Sequence, residues 1–164
     1  MRKILFRGKR IDNGKWIEGY YCPFNYGSLP CEAAIVPRPK DKWDEWEAIE
    51  VISKTVGQYT GLHDSNGKKI FEGDIIRYAD LYDYNCYAES FYNPEAYDGI
   101  DFSDLWTISN VVYGINMGYP AFDLSKHNFE SNALSELSES GYFYYEVIGN
   151  IYENPELLND INKS

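Results

Sequence analysis

The side chains able to hold a transition metal in this 164-residue chain are Cys22, Cys31, His63, Cys86 and His127. A zinc site needs about four such ligands, or carboxylates, at workable spacing. No Cys-x-x-Cys and no His-x-x-x-His occurs. The sequence therefore predicts no metal and no cofactor, and the cysteines read as small apolar filler. Cys86 with His127 or His63 could form a nucleophile pair only if the fold brought them together, and nothing local to Cys86 supports it. Phosphate-cradling loops of the Gly-x-x-x-x-Gly-Lys-Ser/Thr or Gly-x-Gly-x-x-Gly type are absent. Asp98, Asp101 and Asp104 read as a solvated face, with a hard-cation site as the alternative.

One polar block has more to offer. Gln58, Tyr59, Thr60, His63, Asp64 and Asp74 lie on a glycine-rich stretch and could line a ligand groove. The competing reading is that the glycines set turns, Asp64 and Asp74 cap them, and Tyr59 packs. The second reading is favoured, so the chain is expected not to be an enzyme.

The elements that would carry these groups are mostly strands. Ile4–Ile11 and Lys15–Cys22 flank Asp12-Asn13-Gly14, which predicts a hairpin closed by a two-residue type I′ turn. That register sets Lys9 opposite Glu18, Asp12 opposite Lys15, Ile11 opposite Trp16, Arg7 opposite Tyr20 and Gly8 opposite Gly19. Pro23, Pro30, Pro37 and Pro39 mark 23–42 as loop or edge strand, with a short strand over 33–36. Asp41, Trp43, Trp46 and Ile49 fit a helical turn, and 49–52 fits a strand equally well. Val56–Thr60 and Ile70–Tyr78 read as strands. The turn Asp64-Ser65-Asn66-Gly67 lies between them, and Gly73-Asp74 forms a tight bend opening a buried strand. The tips at Asn13-Gly14-Lys15 and Asn66-Gly67-Lys68 echo each other, as two hairpin copies or as convergent turn chemistry. Strands are expected over 105–117 and 142–152. Short helices are expected near 132–139, capped by Ser131 and stopped at Gly141, and near 155–160, where Asn154-Pro155-Glu156 has capping character. The expected fold is mostly β, with two small β subdomains at 1–54 and 55–164. The second would be an SH3-like or irregular barrel with a Tyr/Asp-rich insertion over 79–104.

Charge is unevenly spread. The net charge is −11, yet Arg2, Lys3, Arg7, Lys9, Arg10 and Lys15 crowd the opening hairpin, and no basic residue occurs between Arg77 and Lys126. The acidic stretch would repel phosphate backbones, so direct nucleic-acid binding is not expected. An odd number of unpaired cysteines, no signal-like segment and no membrane-length apolar run predict a cytoplasmic protein.

Several blocks occur together in order: Phe6-Arg7-Gly8-Lys9, Trp16-Ile17-Glu18-Gly19-Tyr20, Thr55 to Leu62, Asp64 with Asn66-Gly67, Ile70 to Ile76, and Tyr145 to Leu158. In these the chain resembles the YopX-like proteins of bacteriophages and prophages. The resemblance implies a phage or prophage origin in a bacterial host, a mostly β fold and homo-oligomers. It implies no activity and no catalytic residues. The stretch 79–104 falls outside the resemblance.

With 16 tyrosines and segregated charge, the expected role is a non-catalytic protein-binding or assembly module. Arg7, Lys9 and Arg10 of one copy would meet Tyr82, Tyr84, Tyr87 and the acidic residues of another. The partner could also be a host or phage protein. Two other roles stay open: an acidic decoy for a host nucleic-acid-binding protein, and an enzyme acting on a nucleotide or small molecule around Tyr59, His63 and Asp74.

Overall fold

The computed structural model describes residues 4–23, 32–37, 47–79, 106–114, 121–125, 133–139 and 144–159. Among the described residues ten strands dominate: β1 Phe6–Lys9, β2 Trp16–Pro23, β3 Ala33–Pro37, β4 Ile49–Glu50, β5 Gly57–His63, β6 Lys69–Phe71, β7 Asp74–Ala79, β8 Trp106–Gly114, β9 Ala121–Leu124 and β10 Tyr144–Asn150. They form a six-stranded sheet in the order β4-β3-β2-β1-β5-β6 and a four-stranded sheet in the order β10-β7-β8-β9. The described pairings are antiparallel, and the mostly β expectation holds.

Two compact units emerge: Met1–Leu62 with Lys69–Gly73, and His63–Lys68 with Asp74–Ser164. The division thus runs through the β5–β6 hairpin and not ahead of it at residue 54. Its cause is pairing: Phe6 and Arg7 of β1 face Gln58 and Gly57 of β5, which ties β5 to the first sheet.

In the first unit the opening hairpin forms, with its register two residues away from the expected one. Arg7 faces Glu18, Gly8 faces Ile17 and Lys9 faces Trp16. The loop is four residues long, closed by Arg10 N donating to Lys15 O at 2.9 Å and Gly14 N to Arg10 O at 3.1 Å. Asn13 Oδ1 accepts from Lys15 N at 2.9 Å, and Gly14 takes φ +68°. Ile11 leaves the ladder because its amide bonds Glu50 O at 3.2 Å while Arg10 bridges Val51. A shift of two preserves the face of every side chain, so the alternation survived although the pairs did not.

That bridge curls the sheet. Val51 N donates to Ala33 O and Ile52 N to Lys9 O, so the segment after β4 bonds both β3 and the end of β1. The same edge of β1 then changes partner to β5. Where it changes, a 3-10 turn over Ser53–Thr55 intervenes, and the buried Thr55 hydroxyl accepts from Lys9 N at 2.9 Å while donating to Ile52 O at 2.6 Å. The curl encloses Ala33, Ile35 and Val51, packed by Phe6, Ile17, Tyr21 and Val56. Gly19 is required at this curvature: a Cβ there would lie 2.1 Å from Val36 O. Leu5, Tyr59 and Phe71 make a second apolar cluster.

In the second unit, β7 is central, and Ile75 and Ile76 are both fully buried. Gly73, at φ +81°, makes the expected bend into this strand. Helix α1, Ala133–Glu139, packs against β9, with Leu134 and Leu137 buried. Among the described residues the edge strands β10 and β9 do not pair with each other. The C-terminal segment is a 3-10 turn, Pro155–Leu158, and not an α-helix. Asn154 makes no side-chain cap there. Its Oδ1 accepts from Asn150 N at 3.4 Å, over a Gly149 whose added Cβ would lie 2.6 Å from that oxygen. Ser131, Gly141, Asp41, Trp43, Trp46 and the insertion beyond Ala79 lie outside the described residues. Among the described residues no helix is long and apolar enough to cross a membrane.

Candidate functional site

The antiparallel register of β10, β7 and β8 decides which side chains share a face of the second sheet. Tyr144, Ala79 and Trp106 align across the three strands, as do Glu146, Arg77 and Ile108. The Arg77 guanidinium therefore reaches one rung along and sits 4.7 Å from the Trp106 ring centre. It also forms an ion pair with Glu146. Trp106 meets Tyr144 edge-on, with ring centres 5.9 Å apart and planes at 65°.

Asn66, from the β5–β6 tip, completes the group. Its Nδ2 lies 3.3 Å from both Tyr144 Oη and Glu146 Oε2. Tyr144 is 42% exposed and the Arg77 side chain 41%. Arginine stacked on tryptophan keeps a planar cation at the surface at low desolvation cost. Arg, Trp and Tyr are also the residue types that dominate binding hot spots. This face can grip another surface by stacking and by directed hydrogen bonds, with its rotamers already fixed by mutual packing.

The tip holding Asn66 is itself pinned to β10. Asp64 Oδ1 accepts from Asn66 N at 2.9 Å and Lys68 N at 2.8 Å, and its Oδ2 accepts from Val147 N at 3.0 Å. Ser65 N donates to Tyr145 O at 2.9 Å, Tyr145 N to Ser65 Oγ at 3.1 Å, and Tyr145 Oη to His63 O at 2.9 Å. Lys68 Nζ reaches Val147 O at 3.3 Å. These bonds cover the outer edge of β10, an edge that would otherwise offer unpaired amides. Burial raises the Tyr145 hydroxyl above its ordinary pKa, and the Asp64 charge adds to the rise.

The residues expected to line a groove have separate employments. Gln58 and Tyr59 belong to the first unit, and His63, Asp64 and Asp74 to the second. Tyr59 is buried with Leu5 and Phe71, its ring 5.5 Å from that of Phe71. Gln58 O accepts from Glu72 N at 2.9 Å. His63 is exposed, Asp64 is committed to backbone amides, and Asp74 is buried opposite Asn150. A shallow depression of about 260 Å³ in the first unit lies elsewhere, among Arg10, Ile11, Asp12, Glu47 and Glu50.

The basic hairpin residues are likewise engaged. Arg7 lies between two rings, 4.8 Å from Trp16 and 4.9 Å from Phe71. Lys9 gives its amide to Thr55. Arg10 chelates Asp12, Nε to Oδ1 at 2.8 Å and Nη2 to Oδ2 at 2.6 Å, which holds the Asp12 carboxyl below its ordinary range. Glu18, expected opposite Lys9, pairs with Lys69. Tyr82, Tyr84, Tyr87, Cys31, Cys86 and His127 lie outside the described residues, and Cys22 is a half-buried free thiol. No three His, Cys, Asp or Glu side chains gather as metal ligands among the described residues.

Sequence reading missed Trp106, Tyr144, Arg77 and Glu146 as a group. The available signal was alternation along three strands, which becomes informative only when their mutual register is known.

The crystal structure of protein EF1440 from Enterococcus faecalis is similar over 96% of this chain and 99% of its own, with a TM-score of 0.55 at 22% identity. At that identity the likeness speaks for the fold alone. No curated protein matches the chain. The family described as "YopX protein" matches residues 5–159, nearly the whole length and both units, and the chain belongs to that family.

Proposed function

We propose that this protein is a non-catalytic, phage- or prophage-derived binding module that assembles with itself through the Arg77–Trp106–Tyr144 face. The observation that carries the reading is the half-exposed guanidinium stacked on Trp106, with Tyr144 against the same ring. Rigid aromatic and arginine side chains lose little conformational freedom on contact, so they convert buried area into affinity efficiently. The neighbouring Asn66 and Glu146 supply directional polar groups at its rim. A host or phage protein is the alternative occupant.

Sedimentation velocity of wild type, Trp106→Ala and Tyr144→Ala tests the reading, with far-UV circular dichroism confirming that each variant is folded. Wild type should sediment as a multimer, and both variants should shift towards the monomer. A wild-type monomer, or a multimer indifferent to both changes, refutes self-assembly through this face.

A further inference from the structure

The chain contains two Asn-Gly dipeptides at hairpin tips, Asn13-Gly14 and Asn66-Gly67, whose surroundings are electrostatically opposite. Both glycines take positive φ, +68° and +80°, and both asparagines are exposed. Both glycine amides donate within their own loops, Gly14 N to Arg10 O at 3.1 Å and Gly67 N to Asp64 O at 2.9 Å. Neither glycine is crowded, with the nearest atom to a notional Cβ at 3.7 Å for Gly14 and none within 4 Å for Gly67. Steric access and the state of the nucleophile are therefore alike at the two sites.

The carboxamides differ. Asn13 Oδ1 accepts a hydrogen bond from Lys15 N at 2.9 Å, so a backbone donor already points at the oxygen that gains charge if Cγ is attacked. Such a donor stabilises a tetrahedral oxyanion. At Asn66, Nδ2 is held by Glu146 Oε2 and Tyr144 Oη, each at 3.3 Å, while Oδ1 meets the Tyr144 hydroxyl at a limiting 3.5 Å, a donor for which Glu146 Oε2 competes at 3.3 Å. There the carboxylate would repel a developing oxyanion, and the contact across to β10 resists the side-chain rotation that attack requires.

We propose that Asn13 is a site of spontaneous succinimide-mediated modification and that Asn66 is protected from the same reaction by Glu146 and Tyr144. The Gly14 nitrogen bonds to Asn13 Cγ, the Cγ–Nδ2 bond breaks, and ammonia leaves carrying the proton from the Gly14 amide. Water then opens the imide at either carbonyl to give aspartate or isoaspartate. Nothing is oxidised or reduced, and water is the only co-reactant. Each event makes the net charge of −11 one unit more negative. Aspartate at 13 keeps an acceptor for Lys15 N. Isoaspartate lengthens the backbone of a loop whose closure depends on the Arg10–Lys15 bond. The same conversion at Asn66 would set two carboxylates against each other on the face described above.

Intact protein is aged at mildly alkaline pH, and modification at each site is read by peptide mass mapping and enzymatic isoaspartate labelling. Asn13 should react on the order of tenfold faster than Asn66, a ratio equivalent to about 1.4 kcal/mol of barrier. Glu146→Gln, and separately Tyr144→Phe, should accelerate reaction at Asn66 and leave Asn13 unchanged. Equal rates at the two sites in wild type overturn the proposal. So does an Asn66 rate unmoved in both variants. The protein is aged at a dilution where it sediments as a monomer, because self-assembly through the Arg77–Trp106–Tyr144 face would itself shield Asn66 and not Asn13; the outcome then does not depend on that reading.

Discussion

The Asp64 carboxylate accepts a hydrogen bond from the Val147 amide at 3.0 Å across a sequence separation of 83 residues, while its other oxygen closes the turn that carries it. One buried side chain thus folds a local loop and seals the edge of a strand distant in sequence.

Asp64→Ala should destabilise the second unit by about 3 kcal/mol, because three amides lose an ionised acceptor within a site that water cannot fully reach. Asp64→Asn should cost less. Its carbonyl can keep the turn bonds to Asn66 and Lys68, but its NH₂ would then face the Val147 amide, donor against donor. Urea denaturation gives the energies. Hydrogen exchange locates the effect: the Val147 amide should exchange faster in both variants, and the Lys68 amide faster in the alanine variant alone.

Thr55→Val should cost about 2 kcal/mol, since it strands the Lys9 amide where β1 changes partners from the β4 segment to β5 and takes from the Ile52 carbonyl one of two donors, the other being Thr55 N. Thr55→Ser keeps the hydroxyl and should recover most of that loss. Denaturant midpoints of the two variants measured side by side give the comparison, and a larger loss in Thr55→Ser than in Thr55→Val would show that the methyl, and not the hydroxyl, carries the effect.

Glycine substitutions should divide by what the added carbon meets. Gly19→Ala places Cβ 2.1 Å from Val36 O, a backbone atom that can move only by opening the curled sheet. A cost of about 3 kcal/mol is expected from such overpacking. Gly67→Ala meets nothing within 4 Å, and only its φ of +80° opposes it, so about 1 kcal/mol is expected. Thermal unfolding should therefore rank Gly19→Ala well below Gly67→Ala.

What could be read from the chain follows the range of the interactions involved. The Asn13-Gly14 hairpin, the Gly73 bend, the strand at Ala33–Pro37 and the helix at Ala133–Glu139 are set by neighbours in sequence, and each formed. The hairpin's register was lost to a distant residue. Glu50 drew the Ile11 amide out of the ladder as Val51 bridged Arg10, and no signal between residues 4 and 22 encodes that. Asp64 was legible as a turn residue through its spacing to Asn66, whereas its bond to Val147 was not. The Arg77–Trp106–Tyr144 face was hidden for the same reason: its members come from three strands, and each alone looks like an ordinary alternating position.

Alkaline pH offers a probe of two buried phenols. Burial raises the Tyr145 and Tyr59 hydroxyls above their ordinary value of 10.0. Asp64 adds to the rise at Tyr145; at Tyr59 the Lys69 charge opposes it and Glu18 adds a little. A group that holds its proton more tightly when folded contributes stability fully present below the unfolded-state pKa. That contribution is lost as pH rises through the folded-state value. Stability should therefore be flat with respect to these tyrosines at neutral pH and fall above about pH 10. Tyr145→Phe should flatten that decline while lowering stability at neutral pH by about 1 kcal/mol, the net worth of the 2.9 Å bond to His63 O. Tyr59→Phe should also flatten the decline. Denaturation at stepped pH checks both, with ultraviolet absorbance at the phenolate band following ionisation directly. A wild-type curve as flat above pH 10 as that of the double phenylalanine variant would mean that neither phenol is held neutral by the fold.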